Sequence, residues 1–436
     1  MRSLLLIDPA ARIFSAKERT LYFLVAGFFI SLFLPNMPVV NNIVTAVLFL
    51  LALTYNSFSE KWGLLKERKE IILMLLFYLL HIISAVFSMN RHEAQTMLVL
   101  RLPLLIFPLS LGLIRIREEL KDRILLSFII IVTLVSVICM AVAIHRYQET
   151  GDAGNLYEDS LTGVTHMQAN YFAMFVTLAL FSYIYLLRKK SFAIEYIGLA
   201  YLSIALLLVF HFMLTSRLAV FTLYSVLVLL GLAYIIRKKN YLQGGILIVG
   251  LLAVIYLLVR FVPEIGNRFN ELDYPGYRSV TPGVKNHYNL DLTEAQWNGT
   301  NIRLAVWKCG WQVIRQHWLF GVPLGDKQDQ LMAEYRAKGY EFAVDTHRNM
   351  HNNYLDIFVT FGLLGLLLFL FGYIILPIRR AILAKDILSI IMIGSLAAGM
   401  ATETYMDRSM GCLLLAFFLS FISASAYYRK LRLNIK

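Results

Sequence analysis

The sequence predicts an all-α polytopic membrane protein, with about twelve transmembrane helices and one long external loop containing short amphipathic helices. Two observations carry this. Hydrophobic residues fill 58% of the 436 positions and charged residues only 16%, with a mean hydropathy of +0.65, far above the apolar share of a soluble domain. Basic residues also alternate between dense and sparse from one connection to the next, as they do when successive loops fall on opposite sides of a bilayer.

A helix needs roughly 20 apolar residues to cross the hydrocarbon core. Such runs lie near 21–34, 39–55, 71–88, 95–114, 123–145, 166–187, 192–214, 218–236, 242–262, 353–377, 386–405 and 410–428. The first is short, and Pro35-Asn36-Met37-Pro38 turns the chain tightly into the second. Residues 1–262 therefore hold nine predicted spans, 263–352 the external loop and 353–436 three more spans, within a single membrane domain. The segment Met1–Thr20 carries Arg2, Arg12, Lys17 and Arg19 without a cleavage-type small-residue site, and is expected to be a retained cytoplasmic leader.

Alternate connections hold Lys61, Lys66, Arg68 and Lys69; Arg115, Arg117, Lys121 and Arg123; and Arg188, Lys189 and Lys190. The same side receives Arg237, Lys238 and Lys239, then Arg379, Arg380 and Lys385, and finally Arg429, Lys430, Arg432 and Lys436. The opposite connections hold only Arg91, Arg146, Arg217 and Arg408. Both termini are thus predicted cytoplasmic and the long loop external. The formal net charge of +13 comes from the cytoplasmic edges: from Arg260 to Arg348 eleven basic residues nearly balance ten acidic ones, which excludes a nucleic-acid surface. No repeat or phosphate-binding glycine loop occurs, and Gly244-Gly245 opens a span as a helix-packing pair. Of the three cysteines, Cys139 and Cys412 fall in apolar runs and only Cys309 is placed to meet an oxidising compartment, so no structural disulfide is expected.

Within the loop, Asn301–Trp318 reads as an amphipathic helix. Ile302, Val306, Cys309 and Val313 share one face, and Trp307, Trp311, Ile314 and Trp318 form an adjoining stripe, which suits a helix lying at headgroup level. Gly321-Val322-Pro323-Leu324-Gly325 ends it, and a second helix is expected from about Asp329 to Lys338, capped by Gly339.

Candidate chemistry clusters at the external edge. Arg217 stands in the short turn Leu214-Thr215-Ser216-Arg217, where hydroxyls beside a guanidinium suit a phosphate, the alternative being an arginine that snorkels to headgroups. Arg303 lies in the first turn of the loop helix, where a solvated charge is the plainer alternative. His347 and His351 are spaced i, i+4, yet with no Glu after the first and no third ligand nearby no metal site is expected. Asp356, in the first turns of the tenth span, is placed to orient a histidine or line a cavity. Arg101, beside Pro103 inside the fourth span, is expected to pair with an acid or contact a phosphate from a cavity wall. His166 and Asn170 open another span as a polar cluster, with capping as the alternative. Glu403, Asp407 and Arg408 lie in the last external turn, where a structural ion pair is weighed against acceptor contact.

The fragment His351-Asn352-Asn353-Tyr354-Leu355, running into Phe361-Gly362-Leu363-Leu364-Gly365-Leu366, closely resembles the signature of the O-antigen ligase and O-antigen polymerase family, in which a histidine–asparagine pair closes the large periplasmic loop. Thr215-Ser216-Arg217, Asn301-Ile302-Arg303 through Trp307, and Gly321 to Gly325 match the family's other motifs in order, over roughly His166 to Leu415. Trp318 stands where a proline is common, and Pro323 replaces the usual middle glycine.

The resemblance implies a metal-independent, inverting glycosyltransferase of the bacterial inner membrane that needs no cofactor and takes a glycan from undecaprenyl diphosphate. It places His351 as the base or acceptor-orienting group, since imidazole titrates nearest neutrality, and Arg217 and Arg303 on the diphosphate leaving group. Arg101, His166, Asn170, Ser216, Trp307, His347, Asn352, Asp356, Glu403 and Arg408 are the supporting candidates. The expected activity is O-antigen ligation to lipid A core, in lipopolysaccharide biosynthesis. The alternatives are O-antigen polymerisation or protein O-glycosylation from the same donor, and, in a different class, transport of a lipid-linked sugar. Transport fits poorly because the spans show no repeated halves.

Overall fold

The computed structural model of the chain describes residues 14–238 and 299–433, with isolated positions between 241 and 260. Among these residues it is helical throughout and has no strands. Helix α1 (Ala16–Leu32) starts at a capping box, in which the Ser15 hydroxyl accepts from Glu18 N and the Glu18 carboxylate accepts from Ser15 N. Its partner α2 (Pro38–Tyr55) has proline at its first position, where the missing N–H costs nothing. A short helix not foreseen from hydropathy, α3 (Phe58–Glu67), occupies the basic connection and starts at a second capping box, Ser57 with Glu60.

The next spans are α4 (Lys69–Val86) and the broken pair α5 (Arg91–Leu100) and α6 (Pro103–Leu109), interrupted where Arg101 precedes Leu102-Pro103. The long α7 (Glu118–Thr150) stops at Gly151, whose φ of +70° closes the helix. The one-turn α8 (Glu158–Leu161) leads into α9 (Ala169–Arg188), which is buried on nearly every face and so sits at the centre of the bundle. Then come α10 (Ile197–Met213) and α11 (Arg217–Lys238). The ninth predicted run, 242–262, lies almost wholly outside the described residues, as does loop segment 263–298.

The loop helices are α12 (Gly299–Gln316), α13 (Lys327–Ala337) and α14 (Glu341–Asp345), followed by α15 (Asn353–Phe369), a π-helical turn at Leu370–Ile375, α16 (Leu376–Leu383), α17 (Ile387–Gly399) and α18 (Ser409–Leu433). Both loop helices fall within two residues of their expected limits, and Gly339 follows the second with φ +65°. Seven helical runs among the described residues are long and apolar enough to cross a membrane, and Ala219–Leu232, Ile387–Gly399 and Ser409–Ser425 are shorter apolar helices. The expected run 386–405 is corrected: its helix ends at Gly399, and 400–408 form a turn because the polar stretch Thr402-Glu403-Thr404 reaches inward.

A large core joins the spans, and a second, smaller one lies under the loop. In the second, Ile302, Val306, Cys309 and Val313 pack with Leu331, Tyr335, Met350 and Val359. The main apolar face of α12 is therefore covered by protein and is not free to rest on the bilayer, although Trp311 and Trp318 remain exposed. All three cysteines are free and buried, and burial pushes the Cys309 thiol up to about 11.

The turn after α12 crosses α15 backbone against backbone. Gly362, at φ +62°, breaks the α15 ladder, and the displaced groups bond the loop: Leu363 N donates to Trp318 O at 2.8 Å, and Val359 O accepts from Val322 N at 2.8 Å. A Cβ on Gly321 would stand 2.4 Å from the Thr360 carbonyl carbon, and one on Gly362 would stand 2.3 Å from Leu319 backbone, so only glycine permits the crossing. Gly325 approaches Asn90 O as closely, while Leu324 N and Gly325 N donate to Ser84 and Ser88. Asp326 accepts from Met89 N and Asn90 N at the head of α5. Together these bonds fix the loop to α4, α5 and α15 beside the candidate site.

Candidate functional site

The site is assembled where α15 begins. Asn352 caps that helix, its side-chain oxygen accepting from Tyr354 N and Leu355 N at 3.0 Å each. One residue earlier, His351 takes a left-handed φ of +43°, and its N–H donates to Asn349 Oδ1. One residue later, Asn353 N donates to Met400 O at 2.8 Å while its side-chain oxygen accepts from Met406 N at 3.0 Å. Those two bonds fasten the 400–408 turn beside His351.

Glu403 in that turn is the meeting point. His351 Nδ1 lies 3.4 Å from Glu403 Oε2, Arg303 Nη2 lies 3.4 Å from Oε1, and Asn170 Nδ2 donates to Oε1 at 3.1 Å. One turn along α12 from Arg303, Trp307 Nε1 donates to Met350 O at 2.7 Å, which ties the arginine's helix to the backbone next to the histidine. Three distant segments thus share one carboxylate. Burial would push the Glu403 carboxyl up, but the hydrogen bond and charge of His351, joined by the Arg303 guanidinium, outweigh it and hold the group below the usual carboxylate range. The His351 and Arg303 side chains stay 23% and 30% exposed, so a ligand can reach both.

Residues 202–370 match the family model described as O-antigen ligase. Over that stretch the chain carries a domain of the O-antigen ligase family. It is accordingly a multi-pass membrane glycosyltransferase of the ligase/polymerase type. No curated protein matches the chain. The family match covers Arg217, Arg303 and His351 but ends before Glu403, so the carboxylate that joins two of the three comes from outside the matched stretch.

Arg217 opens α11, beside Thr215 at φ +48° and a buried Ser216, but its side chain lies outside the described residues. Beneath the site of this O-antigen ligase relative, a charge cluster gives Arg101 the acidic partner expected of it and joins Asp356 to a lysine. Arg101 is fully buried; it donates to Asp407 Oδ1 at 2.9 Å and to Met406 O at 3.0 Å, and lies 3.5 Å from Asp356 and 3.2 Å from His81 Nε2. Asp356 orients no histidine: its Oδ1 accepts from Lys327 Nζ at 2.8 Å, and the same ammonium reaches both Asp407 oxygens at 2.8 and 3.0 Å. Two cations and two carboxylates cancel, as burial requires. Burial alone would lower the Lys327 ammonium, but Asp356 and Asp407 raise it, while Lys327 and Arg101 overcome burial to hold Asp407 low.

The acids of the last turn form structural ion pairs, Glu403 with Arg303 and Asp407 with Arg101 and Lys327. Arg408 is exposed and makes no ion pair among the described residues, because Glu403 and Asp407 both point to partners on other segments. His166, exposed at φ +53°, lies 3.5 Å from Asn36, whereas Asn170 is the one that bonds Glu403. His347 is exposed, and the described residues hold no metal-binding group of three acids, histidines or cysteines. Lys327 and His81 were not read as candidates. A histidine inside Leu79-Leu80-His81-Ile82 was a visible intramembrane signal, whereas Lys327 sits in a polar loop with nothing local to mark its burial.

Proposed function

We propose that the protein is an O-antigen ligase that transfers a glycan from undecaprenyl diphosphate to lipid A core at the periplasmic face of the bacterial inner membrane. The observation that carries this is the convergence of Arg303 and His351 on Glu403 at the outer end of the bundle. With Nδ1–H donated to the carboxylate, His351 Nε2 is left to accept a proton from the acceptor sugar hydroxyl. The oxygen attacks the anomeric carbon as the bond to the diphosphate breaks, and the electron pair leaves on the phosphate oxygen. Arg303 and Arg217 stabilise that growing charge as fixed guanidinium donors. Direct displacement inverts the anomeric centre.

Transfer is tested with purified full chain, lipid-linked glycan and two acceptors in separate reactions. Lipid A core should be glycosylated; a chain-lengthened lipid-linked glycan would instead assign polymerisation, and product with neither would end the proposal. Arg303→Ala and His351→Ala should each lower the rate at least about 10²-fold. Near-normal turnover by the histidine variant would remove its role as base.

A further inference from the structure

The face of the bundle remote from Glu403 holds a cavity of about 240 Å³ between the start of α4, α16 and α18. The run from Asn353 to Arg380 separates it from the site by about 40 Å at 1.5 Å per residue. The cavity arises where two packed helices part. Gly372, inside the π turn, lies against Leu73 and Met74, a Cβ there meeting Leu73 Cβ at 3.0 Å, and Pro377 follows at the start of α16.

At this face Arg117 pairs with Glu18, Lys121 with Asp386, Lys189 with Asp122 and Arg115 with Glu67, whereas Lys61, Lys66 and Arg188 make no ion pair among the described residues. In the cavity Arg380 is held, at 3.0 Å, by the fully buried Glu70. Lys69 and Arg379 line the same cavity, are exposed, and make no ion pair among the described residues. Three cations therefore face one carboxylate that is already engaged. The remaining wall is apolar, with Leu383 and Ile422, and Leu383 and its neighbour Ile382 are exposed on the outer surface of the bundle. The space is of a size that admits a phosphate headgroup.

We propose that this cavity binds the phosphodiester headgroup of an anionic phospholipid from the leaflet opposite the glycosyl-transfer site, with Lys69 and Arg379 on the phosphate and Leu383 and Ile422 against the chains. Basic pockets between spans on the cytoplasmic side are suited to such headgroups, and two unmatched cations at a lipid-facing mouth select negative charge. The proposal does not depend on the transfer chemistry, because its residues lie at the other end of the bundle.

The test is native mass spectrometry of the detergent-purified full chain titrated with phosphatidylglycerol, phosphatidylethanolamine or inorganic phosphate. Phosphatidylglycerol should be retained in preference to phosphatidylethanolamine. The Lys69→Gln/Arg379→Gln double variant should weaken it about thirtyfold, from about fivefold per cation. Leu383→Trp, which keeps every charge and obstructs the mouth, should also weaken it, separating a built site from general surface attraction. Equal retention of the two lipids, or retention unchanged in the double variant, would overturn the proposal. So would displacement of phosphatidylglycerol by millimolar inorganic phosphate, which would mark a site for a free anion.

Discussion

At the scale of single residues, Glu403 does for His351 and Arg303 together what neither can do alone: it fixes an imidazole and a guanidinium from different segments in one frame. Glu403→Gln keeps the shape and removes the charge, so kcat should fall about 10²-fold with expression and membrane insertion unchanged. A variant at full activity would show that the carboxylate only buttresses the turn. The pH dependence has a definite sign. The Glu403 carboxyl is held below its ordinary value, so its coupling to His351 and Arg303 is complete above the usual carboxylate range and is lost as pH falls through the lowered one. Activity lost on acidification should therefore have a component that disappears in Glu403→Gln, read from pH–rate profiles of the two proteins. His351 and Arg303 were legible in the sequence because they sit in ordered motifs. That Glu403 binds both was not, since one hundred positions separate it from Arg303 and only the fold closes that distance.

At the scale of elements, the loop is held by two devices of different chemistry. The first is the glycine crossing of the α12 turn with α15. Gly362→Ala must place a Cβ about 2.3 Å from Leu319 backbone at a positive φ, so it should destabilise by roughly 2–5 kcal/mol, or fail to fold, as measured by thermal unfolding in detergent. Gly339→Ala has open space around it and pays only for its φ, so it should cost less. The second device is Lys327, which carries the loop's charge into the membrane domain. Lys327→Met leaves Asp356 and Asp407 buried with one cation, at a cost of about 3–5 kcal/mol, and Lys327→Met/Asp407→Asn should recover part of it. The contribution of Lys327 is fully present below the ordinary lysine value and is lost only as pH rises through its raised one, so this fastening persists at neutral pH. The helices themselves were legible from periodicity and capping residues. Their docking was not, because Gly321 and Gly325 read as a terminating turn until the backbone they touch is known.

At the scale of the whole molecule, the Glu403 cluster and the basic cavity lie at opposite ends of one bundle, and the helix ends show why. Ser88 at one end of α4 receives the loop through Gly325 N, while Lys69 at the other lines the basic cavity. The α15–α16 run likewise has His351 before it and Arg379-Arg380 near its end. Hydropathy made most spans legible, but it ran α17 on through Ala401 and Thr402, because composition alone does not reveal that Asn353 draws Met400 and Met406 into a turn. The positive-inside asymmetry predicts which end faces the cytoplasm, and sidedness is the property on which the proposed donor assignment stands. Cys139, Cys309 and Cys412 are all buried, so the native chain should react little with a membrane-impermeant thiol reagent. Single cysteines placed at the exposed Asp345 and Lys385 should then label from opposite sides of sealed cells, Asp345→Cys without lysis and Lys385→Cys only after it. The reverse pattern would put Glu403 and its partners on the cytoplasmic side, where a glycan already carried outward on its lipid could not meet them.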